Sequence, residues 1–312
     1  MAHLVRLTRR IVPVVAALLT VAALLLTTQL QSPPWDEYRD VHYLADDNPR
    51  HRLDVYLPKG ASDVPVVVFM HGGSWAFGDK SLVHPDGALG QYTRFLLEEG
   101  YAVASVNYTL VGKGAFPAQI RDVKSGIGYL RDHAEFFGID PDRMVTMGDS
   151  AGGHLALMVA TSRGDRDLAP DGQTGLDAGV RAAVSFYGPT DATKYWEDRL
   201  ASGCDIGVTG PQSSMGRLLG GIDPVDPAYH ARARSASPSL RVSEASLPAL
   251  MLHGTGDCVV GWGQSLRMAR QLDRVGVDER LVVVPGIGHS HPDFWNRRDL
   301  RRIVLEFLRT HV

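Results

Sequence analysis

A serine between two glycines is the first residue of this chain whose setting suggests chemistry. The pentapeptide GDSAG occupies residues 148–152 and follows the apolar run Met144 to Met147. A sharp turn from strand to helix leaves no room for a Cβ at the flanking positions, so glycine is expected at both. The hydroxyl of Ser150 would then lie near the positive end of the next helix, which favours a developing anion. The motif predicts that Ser150 is a nucleophile.

Backbone amides that would hold this anion are expected from two segments. The sequence HGGSW at residues 71–75 comes directly after another apolar run. Its glycines leave their N–H groups unshielded. Gly72 and Gly73, together with Ala151, are the predicted donors of an oxyanion hole, in which each donor lowers an acyl-transfer barrier by roughly 3 kcal/mol. His71 is expected to shape this loop and not to transfer protons.

A base and an acid are needed to make the serine reactive. The base takes the hydroxyl proton, and the acid fixes the tautomer of the base. Asp257 ends the sequence HGTGD and His289 ends GIGH, and each follows an apolar run. Because parallel sheets assemble their sites at the carboxyl ends of strands, we expect Asp257 to orient His289. His291 is the alternative base; its spacing from His289 also suits a metal pair, but no third ligand accompanies it, so no metal is expected.

Four further side chains are expected close to these groups. Ser74 and Trp75 follow the oxyanion glycines, and Trp196 lies in a later segment, so all three are predicted to contact substrate. Asp149 precedes the nucleophile and has two interpretations: it caps the following helix, or it holds the loop of residues 71–75, which we call the oxyanion loop.

Short β-branched runs alternate with helical patterns from Val41 onward. Residues 41–44 and 53–57 indicate a hairpin, residues 117–137 a helix, and the sequence DPD at 140–142 a turn before the strand at Met144. Continuous apolar strands suit a sheet that is covered on both faces. This order predicts an α/β fold with a mostly parallel, doubly wound sheet of about eight strands and helices on both faces.

One long segment departs from this alternation. Residues 188–247 contain scattered Gly, Pro, Ser and Asp and no strong strand. A structureless loop of this length is unusual inside a compact domain, so the segment is predicted to be a partly helical cap or lid. Its aromatic residues are expected either to line a pocket or simply to pack on the edge of the sheet.

The amino-terminal residues have a character of their own. Three arginines precede an almost purely apolar run at residues 11–26, which is typical of a signal peptide or of an uncleaved membrane anchor. We therefore expect residues 1–35 to direct export to the cell envelope or beyond, and residues 36–312 to form the catalytic domain. The only cysteines, Cys204 and Cys258, are compatible with a disulfide or with two buried thiols.

Composition excludes several other classes of protein. Hydrophobic residues make up 44% and charged residues 21% of 312 residues, close to the average of globular proteins. The formal net charge is −3, and no basic stripe is present, so nucleic acid is not an expected partner. A membrane is expected as a partner only through the amino-terminal segment.

These motifs resemble, in their order, a branch of the α/β-hydrolase superfamily. The branch contains hormone-sensitive-lipase-like esterases and bifunctional acetylxylan esterase/feruloyl esterase-like enzymes. The similarity extends from about Val41 to the carboxyl terminus. The segments that carry it are residues 71–75, 78–80, 101–108, 116–123, 138–143, 148–155, 187–191 and 253–259.

The resemblance implies an α/β-hydrolase fold, a Ser150–His289–Asp257 triad and no cofactor. It also implies a small-molecule substrate, a short-chain, acetyl or feruloyl-type ester that is cleaved through an acyl-enzyme. Two departures are Ser74, where related lipases often have glycine, and Cys258 after the acid. Amide or aryl formamide cleavage by the same triad, and a non-catalytic binding module, are the alternatives.

Overall fold

The apolar runs form one eight-stranded sheet. The computed structural model describes residues 33–170, 173, 175–205 and 207–312. The strands are β1 (Trp35–His42), β2 (Arg52–Pro58), β3 (Val64–Met70), β4 (Ala102–Val106), β5 (Ile139–Asp149), β6 (Val180–Phe186), β7 (Ala249–Gly254) and β8 (Glu279–Val284). Their spatial order is β1-β2-β4-β3-β5-β6-β7-β8. Only the β1–β2 and β2–β4 pairs are antiparallel, so the predicted mostly parallel sheet is confirmed.

Helices cover both faces of this sheet. They are α1 (Gly90–Glu98), α2 (Ala118–Asp132), α3 (Ala134–Phe137), α4 (Ala151–Thr161), α5 (Tyr195–Ala201), α6 (Ser214–Leu218), α7 (Pro227–Ser235), α8 (Gly263–Arg274), α9 (Asp293–Asn296) and α10 (Arg298–His311), with 3-10 turns at Lys80–Val83 and Pro238–Leu240. The apolar sides of α2, α4 and α8 share one buried cluster with the sheet, and those of α1 and α10 share another. The prediction of helices on both faces is therefore confirmed.

Two local predictions are corrected by the structure. The helix expected over residues 117–137 is interrupted at His133, whose ring stacks on Tyr129 with ring centroids 4.0 Å apart. The turn expected at residues 140–142 lies inside β5, where the register with β3 shifts between Val64 and Val66. Asp140 still accepts a hydrogen bond from the N–H of residue 142 at 2.8 Å. The turn-forming residues thus make an irregularity within the strand and do not end it.

The segment from residue 188 to residue 247 is partly helical, as predicted. It contains α5, α6, α7 and the second 3-10 turn. Two contacts attach it to the loop that follows β7: the Tyr195 hydroxyl donates to the carbonyl of Val259 at 2.7 Å, and Cys204 forms a disulfide with Cys258 across a Cα–Cα distance of 5.4 Å. Of the two states that the sequence left open for the cysteines, the structure has the disulfide.

The expected leader lies mostly outside the described residues. Trp35, which the sequence grouped with it, instead begins β1 and is buried in the core. In the part of the chain that the structure describes, no helix combines the length and the apolar character needed to cross a bilayer.

The disulfide is expected to contribute strongly to stability. It joins residues 54 positions apart, and the chain-entropy treatment assigns a loop of this size about 4 kcal/mol of stabilisation. The double variant Cys204→Ser/Cys258→Ser should therefore lose up to that amount of unfolding free energy in a urea titration. The wild-type protein under reducing conditions is the matched control and should resemble the variant. Equal stability of the variant and the oxidised wild-type protein would contradict the prediction.

Candidate active site

The nucleophile candidate lies on a strained turn between β5 and α4. Ser150 has φ 50° and ψ −116°, outside the regions that non-glycine residues favour. A Cβ on Gly148 would lie 2.4 Å from the backbone of Gly152, and a Cβ on Gly152 would lie 1.9 Å from the carbonyl oxygen of Met70. Both positions therefore require glycine, for the steric reason that the motif suggested.

The structure brings Ser150, His289 and Asp257 into one hydrogen-bonded line. The Oγ atom of Ser150 lies 2.9 Å from Nε2 of His289, and Nδ1 of His289 lies 2.6 Å from Oδ2 of Asp257. An ionised carboxylate only accepts hydrogen bonds. Nδ1 therefore carries the proton, and Nε2 is left to accept from the serine hydroxyl.

The Asp257 carboxylate is almost fully buried and is held at both oxygens. Oδ1 accepts from the N–H groups of Val259 and Val260, each at 2.8 Å. Burial alone would raise the pKa of Asp257. Hydrogen bonds from the rings of His253 and His289 outweigh this effect and hold the pKa well below its ordinary value. The acid is therefore ionised throughout the neutral range.

Two residues outside the predicted triad support this line: His253, which its place at a strand end puts near the site, and Tyr187, which the sequence did not assign to it. His253 lies 3.3 Å through Nε2 from Oδ2 of Asp257, and the same nitrogen donates to the carbonyl of Val260 at 2.9 Å. Tyr187 packs against the His289 ring with centroids 4.7 Å apart. Tyr187 directly follows β6 and is buried. The sequence could have indicated a place at the site for Tyr187, because this residue lies at the carboxyl end of a central strand.

The oxyanion loop differs from the prediction at one residue. The N–H of Gly72 donates to Oδ1 of Asp149 at 2.8 Å, so Gly72 does not offer a free donor. Of the two interpretations of Asp149, the contact with the oxyanion loop is the one observed. Gly73 and Ser74 lie in the same loop, and the N–H groups of Gly73, Ser74 and Ala151 meet no acceptor among the described residues.

Neutral His71 shapes this loop from behind. Burial lowers the pKa of His71 to about 4. Its Nδ1 lies 2.7 Å from the carbonyl of Gly72, and its Nε2 lies 2.8 Å from a guanidinium nitrogen of Arg50. Since Arg50 only donates, Nε2 accepts and Nδ1 donates to Gly72. Gly73 has φ 109°, and a Cβ there would lie 2.2 Å from the carbonyl oxygen of Phe77, so the fold of this loop depends on glycine.

A cavity of about 500 Å³ opens above the serine, and we call it the catalytic cavity. The residues lining it are His71, Gly72, Gly73, Ser74, Phe77, Gly78, Asp79, Leu82, Asp149, Ser150, Val259, His289 and Ser290. Ser74 thus lies where the sequence placed it. None of the lining residues comes from the segment 188–247.

Two predicted substrate contacts lie elsewhere. Trp75 has φ 55°, which turns its side chain into the core, where the indole donates to Nδ1 of His154 at 3.3 Å and only 3% of the residue is exposed. Trp196 lines a neighbouring cavity instead.

His291, the alternative base, does not line the cavity above Ser150. His291 is exposed, and its Nδ1 accepts a hydrogen bond from the backbone N–H of Asp293 at 3.2 Å. Within residues 33–170, 173, 175–205 and 207–312, no three His, Cys, Asp or Glu side chains form a group that could hold a metal ion.

Fold and site geometry together are those of an α/β-hydrolase. Residues 53–272 match the BD-FAE family, so the chain belongs to that family. The chain is similar to esterase LipC of Mycobacterium tuberculosis, with 28% identity over 79% of this chain and 58% of that protein. It is also similar to a probable isoprenylcysteine alpha-carbonyl methylesterase of Oryza sativa subsp. japonica, with 37% identity over 78% of this chain and 56% of that protein.

A solved structure, described as a truncated form of carbohydrate esterase from gut microbiota, matches with a TM-score of 0.76 and 26% identity. The match covers 90% of this chain and 98% of that one. The chain spans little more than half the length of the two curated relatives.

Asp149 is expected to make stability depend on pH. Burial raises the pKa of Asp149 to about 6, against the opposing hydrogen bond from Gly72. Between the ordinary value of 3.8 and about 6 the folded protein binds more protons than the unfolded chain at this group. Its contribution to stability is therefore lost as pH rises through this window.

The variant Asp149→Asn keeps an acceptor for Gly72 and removes the titration. Unfolding free energy of the wild-type protein relative to this variant should fall as pH rises from about 4 to about 7, as measured by urea titration. In Asp149→Ala, the unfolding free energy should depend on pH as it does in Asp149→Asn, and it should be lower at every pH because the acceptor for Gly72 is lost. A wild-type to Asn difference that stays constant over this range would refute the assignment.

Proposed function

We propose that the protein is a carboxylic ester hydrolase that works through an acyl-enzyme on Ser150. One observation carries the proposal: the Asp257–His289–Ser150 line, with contacts of 2.6 Å and 2.9 Å, ends beside backbone amides that have no acceptor among the described residues. A base within hydrogen-bond reach activates the hydroxyl, and preorganised donors stabilise the oxyanion that forms. Membership of a family whose relatives are named esterases supports the same activity.

In the first half of the proposed reaction, Oγ of Ser150 attacks the ester carbonyl carbon. Nε2 of His289 takes the hydroxyl proton, and Asp257 stabilises the imidazolium through Nδ1. The carbonyl oxygen becomes an oxyanion and accepts from the amides of Gly73, Ser74 and Ala151. The C–O bond to the alcohol then breaks, and the alcohol leaves with the proton from His289.

In the second half, water takes the place of the alcohol. His289 removes a proton from the water as it attacks the acyl carbon, and the second oxyanion uses the same amides. Collapse of this intermediate returns the proton to Oγ of Ser150 and releases the carboxylic acid. Asp149 takes no part in proton transfer; it holds Gly72 and thereby the path of the oxyanion loop.

Short-chain, acetyl or feruloyl-type esters are the proposed substrates. Only Phe77, Leu82 and Val259 present sizeable apolar side chains to the catalytic cavity. Each methylene of an acyl chain adds about 0.8 kcal/mol only while it is buried against such a surface. Carbons that extend beyond these three side chains gain nothing. Similarity to a protein described as a carbohydrate esterase supports sugar esters as one source of such groups.

We further propose that the protein is exported. A basic, then apolar amino-terminal sequence supports this, and so does the Cys204–Cys258 disulfide, since disulfides persist in oxidising compartments.

Replacement of the proposed nucleophile or base should abolish turnover. Ser150→Ala and His289→Gln should each lower kcat for p-nitrophenyl acetate by about 10⁵-fold or more, since triad members act as a unit. His291→Gln is the matched control and should keep nearly full activity. Ser150→Ala should also abolish labelling by a fluorophosphonate probe while its circular dichroism stays that of the wild-type protein. Loss of activity in the His291 variant alone would reverse the assignment of the base.

An ester panel should separate the proposed activity from amide cleavage. We expect kcat/KM for p-nitrophenyl esters to be highest for acetate to butyrate and to fall for long acyl chains, because the apolar surface of the cavity is small. The matched acetyl anilide should be turned over far more slowly. Comparable rates on ester and anilide would make an amidase the better description.

A further inference from the structure

A second cavity lies beside the catalytic cavity. Its volume is about 430 Å³, and its walls come from α5, from the loop before α6 and from the first turn of α6. Val259 lines both cavities, so they adjoin at this side chain. We call the second one the arginine cavity, because Arg199 and Arg217 both line it.

The charged side chains that line the arginine cavity are all positive. No aspartate or glutamate lines it, and neither Arg199 nor Arg217 forms an ion pair with a residue that the structure describes. The other two charged residues of α5 are paired with residues outside that helix: Glu197 lies 2.6 Å from Lys194, and Asp198 lies 2.7 Å from Arg267. The two guanidinium groups are thus the charges that a molecule in this cavity would meet.

Arg199 is held in place while its terminal nitrogens stay available. Its Nε donates to the carbonyl of Asp205 at 2.6 Å, whereas its two Nη atoms donate to no acceptor among the described residues. The chain passes close to them at Gly207, where a Cβ would lie 2.8 Å from one Nη atom. A planar guanidinium with paired donors suits a carboxylate, which it can bind with two hydrogen bonds.

An aromatic wall completes the cavity. Trp196 is half-buried there and packs edge-on against Tyr195, with ring centroids 4.7 Å apart and an interplanar angle of 90°. Tyr195 is fixed in turn by its hydrogen bond to the carbonyl of Val259. The indole is therefore a preformed surface on which a flat or cyclic group can stack.

We propose that the arginine cavity binds the alcohol part of the ester and selects alcohols that carry a carboxylate on a ring. This inference rests on the proposed ester hydrolysis, because the acyl group would occupy the catalytic cavity and the ester bond would lie near Val259. The carboxylate of the alcohol part pairs with Arg217 and Arg199, and its ring stacks on Trp196. Such a substrate is a hydroxy acid built on a ring: its hydroxyl group is esterified by the acyl group, and its carboxylate is free.

Binding can be tested without turnover. In the Ser150→Ala protein, 4-acetoxybenzoate and its neutral match 4-acetoxybenzamide are titrated by calorimetry. The benzoate should bind at least about tenfold more tightly, as expected for one charge-assisted contact. A further Arg217→Gln change should remove this preference and leave the affinity for the benzamide within twofold. Arg163→Gln, an exposed arginine outside the cavity, is the matched control and should keep the preference.

Turnover then tests whether the cavity serves the alcohol part. In the protein with an intact Ser150, Arg217→Gln should lower kcat/KM for 4-acetoxybenzoate by about tenfold, mainly through KM, and should change kcat/KM for the neutral 4-acetoxybenzamide by less than about twofold. Arg199→Lys should retain part of the preference.

Equal binding of the two probes by the Ser150→Ala protein would overturn the inference, and it would do so even if p-nitrophenyl acetate is hydrolysed as proposed. A binding preference with no effect of Arg217→Gln on kcat/KM would also overturn it, because the anion would then bind away from the scissile ester. Failure of the proposed function is seen separately, as absence of p-nitrophenyl acetate turnover and of fluorophosphonate labelling.

Discussion

The close approach of α4 to the end of β3 is the constraint on which the site depends. Gly152 leaves so little space that a Cβ would lie 1.9 Å from the carbonyl oxygen of Met70. Since β3 and β5 are parallel neighbours, this contact sets the turn that carries Ser150 beside the loop that follows Met70. The proposed nucleophile and the oxyanion amides therefore meet through backbone packing, and no long side chain is needed to span between them.

Buried hydrogen bonds then fix each remaining group. Asp257 would be costly to bury as an unpaired charge, but both of its oxygens have donors, from two backbone amides and the His289 ring. For Asp149, desolvation outweighs the hydrogen bonds. The amide of Gly72 is its one donor from the oxyanion loop, and the pKa of Asp149 therefore rises. The pKa values of these two aspartates thus shift in opposite directions because Asp257 receives more hydrogen bonds than Asp149.

Much of this arrangement could be predicted from local sequence. Apolar runs followed by glycine-rich turns predicted the strands, the elbow and the positions of Asp257 and His289, because each depends on a few consecutive residues. A contact of Asp149 with the oxyanion loop was one of two interpretations, but that it would occupy the N–H of Gly72 could not be predicted in this way, because it depends on how two neighbouring strands pack. The direction of the Trp75 side chain could not be predicted either. It depends on the positive φ of Trp75, and no local sequence pattern indicates that conformation. The irregularity at residues 140–142 shows that turn-forming residues can be accommodated within a strand when a neighbouring strand, here β3, pairs with it both before and after them.

Residues 257–259 connect parts of the molecule that the sequence treats separately. Asp257 faces His289, Cys258 is bonded to the segment 188–247, and Val259 borders both cavities while its backbone N–H binds Asp257 and its carbonyl accepts from Tyr195. A movement of α5 away from the sheet would pull on Val259 and so on the hydrogen bonds of the acid. The segment therefore cannot swing at this point as an independent lid while the acid stays in place. Under the proposed function, substrate enters from the open side of the catalytic cavity, where Phe77 is exposed, and the walls near α5 are the fixed surface that selects the alcohol part of the ester.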